Sequence, residues 1–558
     1  MAKYDAFSRE ELIELLQKQD KELALKKYGL VWDSEKYPEQ VVINCAKKLP
    51  VLKNIHEKDI KTNDDEYNIM IEGDNYHSLQ VLNYTHKEKI DVIYIDPPYN
   101  TGRKDFIYND KYVDEEDGYR HSKWLNFMEK RLELAKELLK EDGVIFISIN
   151  DAEQANLKLL CDKIFGENNI IGQLTWQSTT QPTNSGSAKF GLQKQIEYIL
   201  LYAKNKRLKN EFKLDYVQKI PQYPHRGKYG MCRFEIIEKS DAGSYKRDTM
   251  KFPILGHLPR KGKRWQIGIE TATELVNAGK IEIVNGIVKK AVYPEDEKNL
   301  VSFIPFWSHL SADDVGTALT GKDEVNEILG KAAGFDTIKP VNLLTKLLSY
   351  FENNICVCDF FAGTGTTAHA VLNLNKRDNG HRNFILCTNN DGNIATDICY
   401  PRIKKVIEGY HKSKGKEFIE GLGGNLKYFK TNFVENLKNT TQTKINLAKE
   451  CSEMICLKTG RFNELQSTNR SFKIFSNNAN NQYTCIYFDC FDTDMHDFVS
   501  EIKKLHGKKE LYLFSLTDAI DDYLFKDISD INIEAIPYKI LDLYRKIAKA
   551  HIKGINND

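Results

Sequence analysis

The chain has 558 residues, with 80 Lys+Arg against 79 Asp+Glu for a formal charge of +1, and is 41% hydrophobic, 28% charged and 11% aromatic. That composition excludes a largely disordered or fibrous chain, and the length suggests about three or four domains. The neutral total argues at first against a polyanionic partner, and with no apolar core at the N-terminus and no apolar run near ~18 residues a cytoplasmic protein with no membrane partner is expected.

In chain order, Ser8 and Glu11 form a capping box ahead of Leu12, Leu15, Leu16 and Leu23, which predicts a peripheral helix over 8–26 within an N-terminal arm, 1–32. Strands and helices then alternate. Strands are predicted at 68–74, 91–95, 143–148 and 198–202, with helices at 77–82, 124–139 and 155–164 between them. The alternation resumes with helix 341–351, strand 355–360, helix 366–374 and strand 384–387. Apolar strands separated by helices predict an α/β fold built on a doubly wound, mostly parallel sheet. One catalytic domain, 33–205 and 331–435, would then be interrupted by an inserted domain, 206–330. The tail, 436–558, reads as a small α/β domain with strands at 483–488 and 511–514, helices at 492–505 and 537–550, and no catalytic constellation.

Charge is unevenly spread. Residues 201–270 hold 17 Lys+Arg and 7 Asp+Glu, an excess of +10 that leaves −9 for the remainder. Aromatic residues interleave with these cations, as suits a polyanion. Lys246, Arg247, Arg260, Lys261, Lys263, Arg264 and Trp265 are the candidate nucleic-acid contacts. The eleven cysteines show no CxxC pair and no zinc-type spacing, so they read as reduced structural thiols and no metal is expected.

Three strand ends carry chemistry. Asp96-Pro97-Pro98-Tyr99 follows the apolar strand 91–95 directly, and open α/β sheets bind ligands beyond the carboxyl ends of their strands. Two prolines stiffen the turn and remove two N–H donors. A carboxylate, fixed carbonyls and a ring can then accept the hydrogens of an exocyclic amine and stack its heterocycle. Asp359-Phe360-Phe361-Ala362-Gly363-Thr364-Gly365-Thr366-Thr367 joins a strand to a helix, where small residues admit a ligand close to the backbone. A phosphate-binding P-loop needs Lys where Thr366 stands, and a dinucleotide fingerprint needs Gly where Ala368 stands, which leaves a nucleoside ligand lacking a triphosphate. Gly73-Asp74-Asn75 ends a third strand with side chains suited to an adenine edge.

Together these motifs resemble the S-adenosylmethionine-dependent amino-methyltransferases that make N6-methyladenine in DNA, in the circularly permuted β order. Further matches are Asn100-Thr101-Gly102, the blocks 142–148 and 197–202, Lys339-Pro340, and 423–428. The resemblance covers roughly residues 35–435. It is closest to modification subunits of Type III restriction systems and, within that group, to CamA-type orphan adenine methyltransferases. It implies a Rossmann-like catalytic domain, a target-recognition insertion, S-adenosylmethionine as cofactor and double-stranded DNA as substrate, with a flipped adenine methylated at N6. Asp96, Pro97, Pro98 and Tyr99 are the implied catalytic residues. The implied cofactor pocket is Phe361, Ala362, Gly363, Thr364, Gly365, Thr366 and Thr367 with Asp74, Asn75, Lys339 and Pro340. Asp359 either lines the pocket or orients its loop from beneath. After strand 384–387 the family usually places an acid for the ribose. Here Thr388-Asn389-Asn390-Asp391 makes Asn389 one candidate among several. Gln195-Ile196-Glu197 replaces the family's His-Asp or His-Glu, so no histidine role transfers. Segment 101–122 is a candidate cover for the site or an ordinary loop. The alternatives are a DNA-reading modification subunit working with a helicase–nuclease partner or as a self-dimer, or an RNA or protein amino-methyltransferase.

Overall fold

The computed structural model describes residues 39–552 with 13, 16 and 32, apart from 64–65, 103–104, 183–185, 187–188, 218–221, 243–246, 298–301, 331–333, 335–336, 413–416, 438–439, 466–470, 478–480, 490–493, 518 and 521. The helix expected over 8–26 lies outside these residues apart from 13 and 16, and Lys246 lies outside them too. The chain divides into two compact units, Met1–Lys213 with Trp307–Asp558, and Leu214–Phe306.

The larger unit is built on a ten-stranded sheet. Its strands are β1 (Lys48–Asn54), β2 (Tyr67–Glu72), β3 (Ile90–Ile95), β4 (Leu139–Ile149), β5 (Ile170–Gln177), β6 (Ile196–Ala203), β7 (His309–Leu310), β8 (Cys356–Asp359), β9 (Asn383–Thr388) and β10 (Asn425–Glu435), in spatial order β1-β10-β2-β9-β8-β3-β4-β6-β5-β7. The six neighbours from β10 to β4 run parallel, whereas β1 pairs with β10, and β6 with both β4 and β5, in antiparallel fashion. The β5–β7 pair is parallel as well, so six of the nine neighbour pairs are parallel and the sheet is mostly parallel, as the sequence predicts. Strands buried on both faces read as continuous apolar runs, and that rule misses β5 and β10, which carry part-exposed or exposed positions along much of their length.

Helices α1 (Asn75–Thr85), α2 (Arg120–Leu138) and α3 (Gln154–Phe165) share one core with the strands. Trp124 of α2 and Trp176 of β5 are completely buried, and both indole N–H groups are satisfied by carbonyls, 2.7 Å to Pro98 and 2.9 Å to Gly316. Further along come α4 (Ala318–Leu329), α5 (Val341–Ser349), α6 (Thr366–Asp378) and α7 (Tyr400–Glu408), with α5 packed on α6 and α7 on α4.

The expected organisation changes in places. The insertion is Leu214–Phe306 rather than 206–330, because His309–Leu310 extends the main sheet beside Thr175–Trp176 and α4 packs Val325 and Leu329 with Ile338 and Ile398. The tail has its own five-stranded sheet and core, yet it is not a separate unit. Its helices Thr440–Glu450, Ser452–Thr459 and Tyr538–His551 bury apolar side chains in the core that holds α1 and α2. Tyr76 OH bonds His551 Nδ1 at 2.8 Å, and Tyr544 OH donates to the Pro50 carbonyl at 2.7 Å. In segment 101–122, Phe106, Tyr108 and Val113 are anchored in the same core, and Ile107–Tyr108 pairs with Lys111–Tyr112.

The smaller unit contains a four-stranded antiparallel sheet of His225–Gly227, Gly230–Ile236, Ile287–Val292 and Ile281–Val284. Asn285 and Gly286, at φ of +53° and +74°, make the tight turn between the last two. It also holds helix Ile269–Asn277, a ribbon of Glu238–Ser240 with Lys263–Trp265 and a short pair of Tyr216–Val217 with Ser302–Phe303.

Candidate active site

Between β8 and β3 the strand order reverses: the chain leaves β8 toward β9 on one side and β3 toward β4 on the other. Such a switch point opens a crevice at the carboxyl ends of the strands. All three sequence motifs lie there, after β3, β8 and β2.

Asp96 stands at the mouth, with its side chain 31% exposed, and both its oxygens bond the ammonium of Lys339, at 2.9 and 2.8 Å. Lys339, 7% exposed, also donates to Tyr99 OH at 2.9 Å and lies 3.3 Å from Glu197 Oε2. Tyr99 OH donates to Glu197 at 2.8 Å. Burial pushes the lysine's pKa down, but Asp96 and Glu197 outweigh it and hold the ammonium above its ordinary value. Burial, with Asp96 and Glu197 adding to it, raises the Tyr99 phenol far above the usual range, so it stays neutral. The quartet carries two carboxylates against one cation. Lys339 was expected in the cofactor pocket; its ammonium sits on the Asp96 carboxylate, and buried Pro340 next to it in the chain caps α5. Trp124 holds the Pro98 carbonyl, whereas no described donor bonds that of Pro97.

The glycine loop is built from underneath. Asp359 is buried, accepting from Phe361 N at 3.0 Å and from Thr367 Oγ1 at 2.5 Å. Burial raises its carboxyl to about 7 despite these bonds. Arg402 of α7, fully buried, bonds both Thr364 Oγ1 and Thr366 Oγ1, at 3.0 and 2.9 Å. The three threonine side chains therefore face the protein, which leaves backbone from Phe361 to Gly365 and the first turn of α6 for the other face of the loop. Gly365, at φ +80°, abuts Cys399 and Ile403, where a Cβ would crowd.

Asp74 caps α1, accepting from Tyr76 N at 2.7 Å. Asn75, expected at an adenine edge, has one bond at each end of its amide. Its nitrogen donates to the Phe360 carbonyl at 3.0 Å, and its oxygen accepts from buried Arg131 at 2.5 Å. Arg131 is in turn clamped by Glu39 at 3.0 and 2.8 Å, so Asn75 ties α1 to the glycine loop. Asn389 is exposed at the end of β9, with its amide nitrogen on Asp391 at 2.6 Å.

In the smaller unit the basic stripe is partly neutralised. The unit holds 16 Lys+Arg and 11 Asp+Glu, net +5, since five cations of the stripe precede it. Arg260 pairs with Glu238 at 2.6 Å and Arg264 lies 3.6 Å from Asp241. Trp265 is a core residue, fully buried with its N–H on the Phe252 carbonyl, so it does not face a ligand. Arg247 and Lys261 are exposed and Lys263 is half-buried. Among the described residues no cluster suited to a metal ion occurs, and no helix is long and apolar enough to cross a membrane.

Sequence reasoning missed Glu197, Arg131, Glu39 and Arg402 as site residues. Glu197 opens an apolar strand, which gives it no strand-end signal. Only the antiparallel direction of β6 brings it to the edge where β3 ends. The two arginines sit inside amphipathic helices, where a cation ordinarily reads as solvated.

The DNA methylase family matches residues 90–398. The chain is 34% identical over 388 residues to the Type III restriction-modification enzyme StyLTI Mod subunit of Salmonella typhimurium, covering 61% of this chain but only 55% of that protein. It is 32% identical to the EcoPI Mod subunit of Escherichia phage P1, covering 69% of this chain and 67% of that one. It is 33% identical to the Type II methyltransferase M.KpnI of Klebsiella pneumoniae, covering 59% and 82%. With its strand-end motifs gathered at one switch point and the family match spanning more than half its length, the chain belongs to the DNA methylase family.

Proposed function

We propose that the chain is a site-specific DNA methyltransferase that moves a methyl group from S-adenosylmethionine to adenine N6 of a flipped base. The observation that carries this reading is Asp96 and the Pro97 carbonyl standing beside the glycine loop at the switch point, with Tyr99 next to them. The order catalytic turn, insertion, glycine loop fits the permuted group. Adenine rather than cytosine rests on the Asp96-Pro97-Pro98-Tyr99 resemblance. The backbone cradle from Phe361 to Gly365 fits a nucleoside ligand of the cofactor's kind, since Thr366 stands where a phosphate-binding P-loop needs Lys. S-adenosylmethionine supplies the activated methyl carbon when bound.

The chain's own residues supply position. An exocyclic amine is a poor nucleophile because its lone pair is delocalised into the ring. Asp96 and the Pro97 carbonyl accept its two hydrogens and favour the pyramidal nitrogen of the transition state. Tyr99 stacks on the base, worth ~1–3 kcal/mol, which helps offset the few kcal/mol needed to extrude it from the duplex. Fixing the amine in line contributes up to ~7–11 kcal/mol. Purified full-length chain with labelled cofactor and duplex DNA is expected to yield N6-methyldeoxyadenosine on nucleoside mass spectrometry. N4-methyldeoxycytidine would overturn the choice of base, and no methylated base the reaction.

A second reading, as the modification subunit of a restriction complex, is favoured by the likeness to the Mod subunits and is compatible with the first. We place duplex contacts on the insertion, at Arg247, Lys261 and Lys263. The double variant Lys261→Glu, Lys263→Glu should weaken duplex binding about tenfold or more and lower the salt slope by about 2. Filter binding across salt concentrations reads this, and an unchanged slope would make the ribbon a merely solvated face.

A further inference from the structure

The catalytic turn leaves the site through Asn100, which has φ of +55° and a fully buried side chain. A left-handed backbone costs a non-glycine residue ~1–3 kcal/mol, so the surroundings must hold it. The Asn100 amide nitrogen donates to Glu153 Oε1 at 2.5 Å and to the Arg120 carbonyl at 3.3 Å. Glu153 is 1% exposed and also accepts from His121 Nδ1 on Oε1 and from Asn156 on Oε2, both at 2.7 Å. Arg120 Nε donates to His121 Nε2 at 3.1 Å, which makes Nε2 the acceptor and places the ring proton on Nδ1, facing Glu153. Arg120 and His121 open α2, and Glu153 directly precedes α3. Residues 101–119 leave from Asn100 and return at Arg120, so this chain of bonds closes the base of that segment. On the other side of Tyr99, Trp124 of the same helix holds the Pro98 carbonyl. The turn is pinned on both flanks of its aromatic residue.

Building on the methyltransferase reading above, we propose that Glu153 is a positioning residue for methyl transfer. It locks Asn100 in the left-handed conformation that aims Tyr99 and Asp96 at the target amine. A carboxylate that merely fills the core would not need to collect three donors, of which one is the residue leaving the catalytic turn and another opens the helix that pins it. Misplacing reacting groups by 1 Å can cost about 10²-fold in rate, and that is the loss expected.

Three variants test this beside the wild-type chain. Glu153→Ala should lower kcat about 10²-fold with KM for cofactor and DNA changed less than about threefold. Glu153→Gln should recover most of that loss, because Asn100 and His121 both bond Oε1, which the amide retains, and Asn156 can turn its own amide to meet the new N–H. Asn100→Gly accepts positive φ without strain but gives up the buried bonds to Glu153 and Arg120, so its unfolding midpoint should fall modestly while kcat, read well below that midpoint, falls about 10²-fold. Hydrogen exchange at residues 99–102 reads the brace without any turnover, and should quicken about tenfold in Glu153→Ala. Near-normal kcat in Glu153→Ala or Asn100→Gly, unchanged exchange, or a kcat loss that simply tracks cofactor affinity and unfolding midpoint would overturn the assignment. A wild-type chain that transfers no methyl group counts against the methyltransferase reading instead, and the exchange measurement still decides the brace.

Discussion

Asp96→Ala should lose methyl transfer by about 10²–10³-fold or more while keeping cofactor and duplex binding within about threefold of wild type. The carboxylate is the most exposed charged group of the quartet, and in the proposed reaction it accepts one hydrogen of the target amine while the Pro97 carbonyl accepts the other. Removing it does not strand Lys339. Glu197 lies 3.3 Å from the ammonium and Tyr99 OH accepts from it at 2.9 Å, so the variant exchanges a site with two carboxylates and one cation for a balanced pair. The fold and the glycine loop, which Asp359 and Arg402 hold from below, are untouched by the change. Single-turnover methylation, calorimetric cofactor binding and duplex filter binding on the same preparation separate these effects. Near-normal turnover would sink the catalytic assignment, and parallel loss of all three would reduce Asp96 to a structural residue.

What could be read in advance follows from how local each signal is. The parallel core was legible because β3, β4, β8 and β9 are apolar on both faces and are separated by helices of ordinary length. The motifs were legible because strand ends in such sheets are where ligands bind, and Asp96 and Asp359 each terminate one. Direction and pairing were not legible. Glu197 joins the site only because β6 runs against β4, and β10 reaches β2 from near the far end of the chain. Side-chain orientation was equally hidden. Thr364, Thr366 and Asn75 sit in the right segments, yet their polar atoms are taken by Arg402 and Arg131 from distant helices. The +10 stripe likewise overstated the basic character of the insertion. Five of its cations precede Leu214, and the acids of 271–306 belong to the same unit; nor does a count along the sequence see Trp265 turned into the core.

Lys339→Met should be the other severe variant. Its side chain fills a similar volume, but Asp96 and Glu197 then face each other across Tyr99 without the cation that joins them, and the phenol can donate to one of them alone. Breaking a buried pair by removing one partner costs roughly 3 kcal/mol, here at the low end because Asp96 retains some access to water. Methyl transfer should fall about 10²-fold, because the carboxylate that must receive the amine is no longer held in place. The pH dependence has a definite sign. The folded-state pKa of Lys339 is raised above the ordinary lysine value, so its contribution to stability is fully present below that value and is lost only as pH rises through the raised one. The stability deficit of Lys339→Met should therefore be flat between about pH 6 and 9, which urea unfolding at several pH values measures. Lys339→Arg keeps the charge and should recover part of both losses. Cofactor affinity decides between the two placements of this residue. If calorimetry finds it unchanged in Lys339→Met, the ammonium acts on Asp96, as its contacts indicate. A loss of tenfold or more, about 1.4 kcal/mol, would return it to the cofactor pocket that the sequence alone suggests.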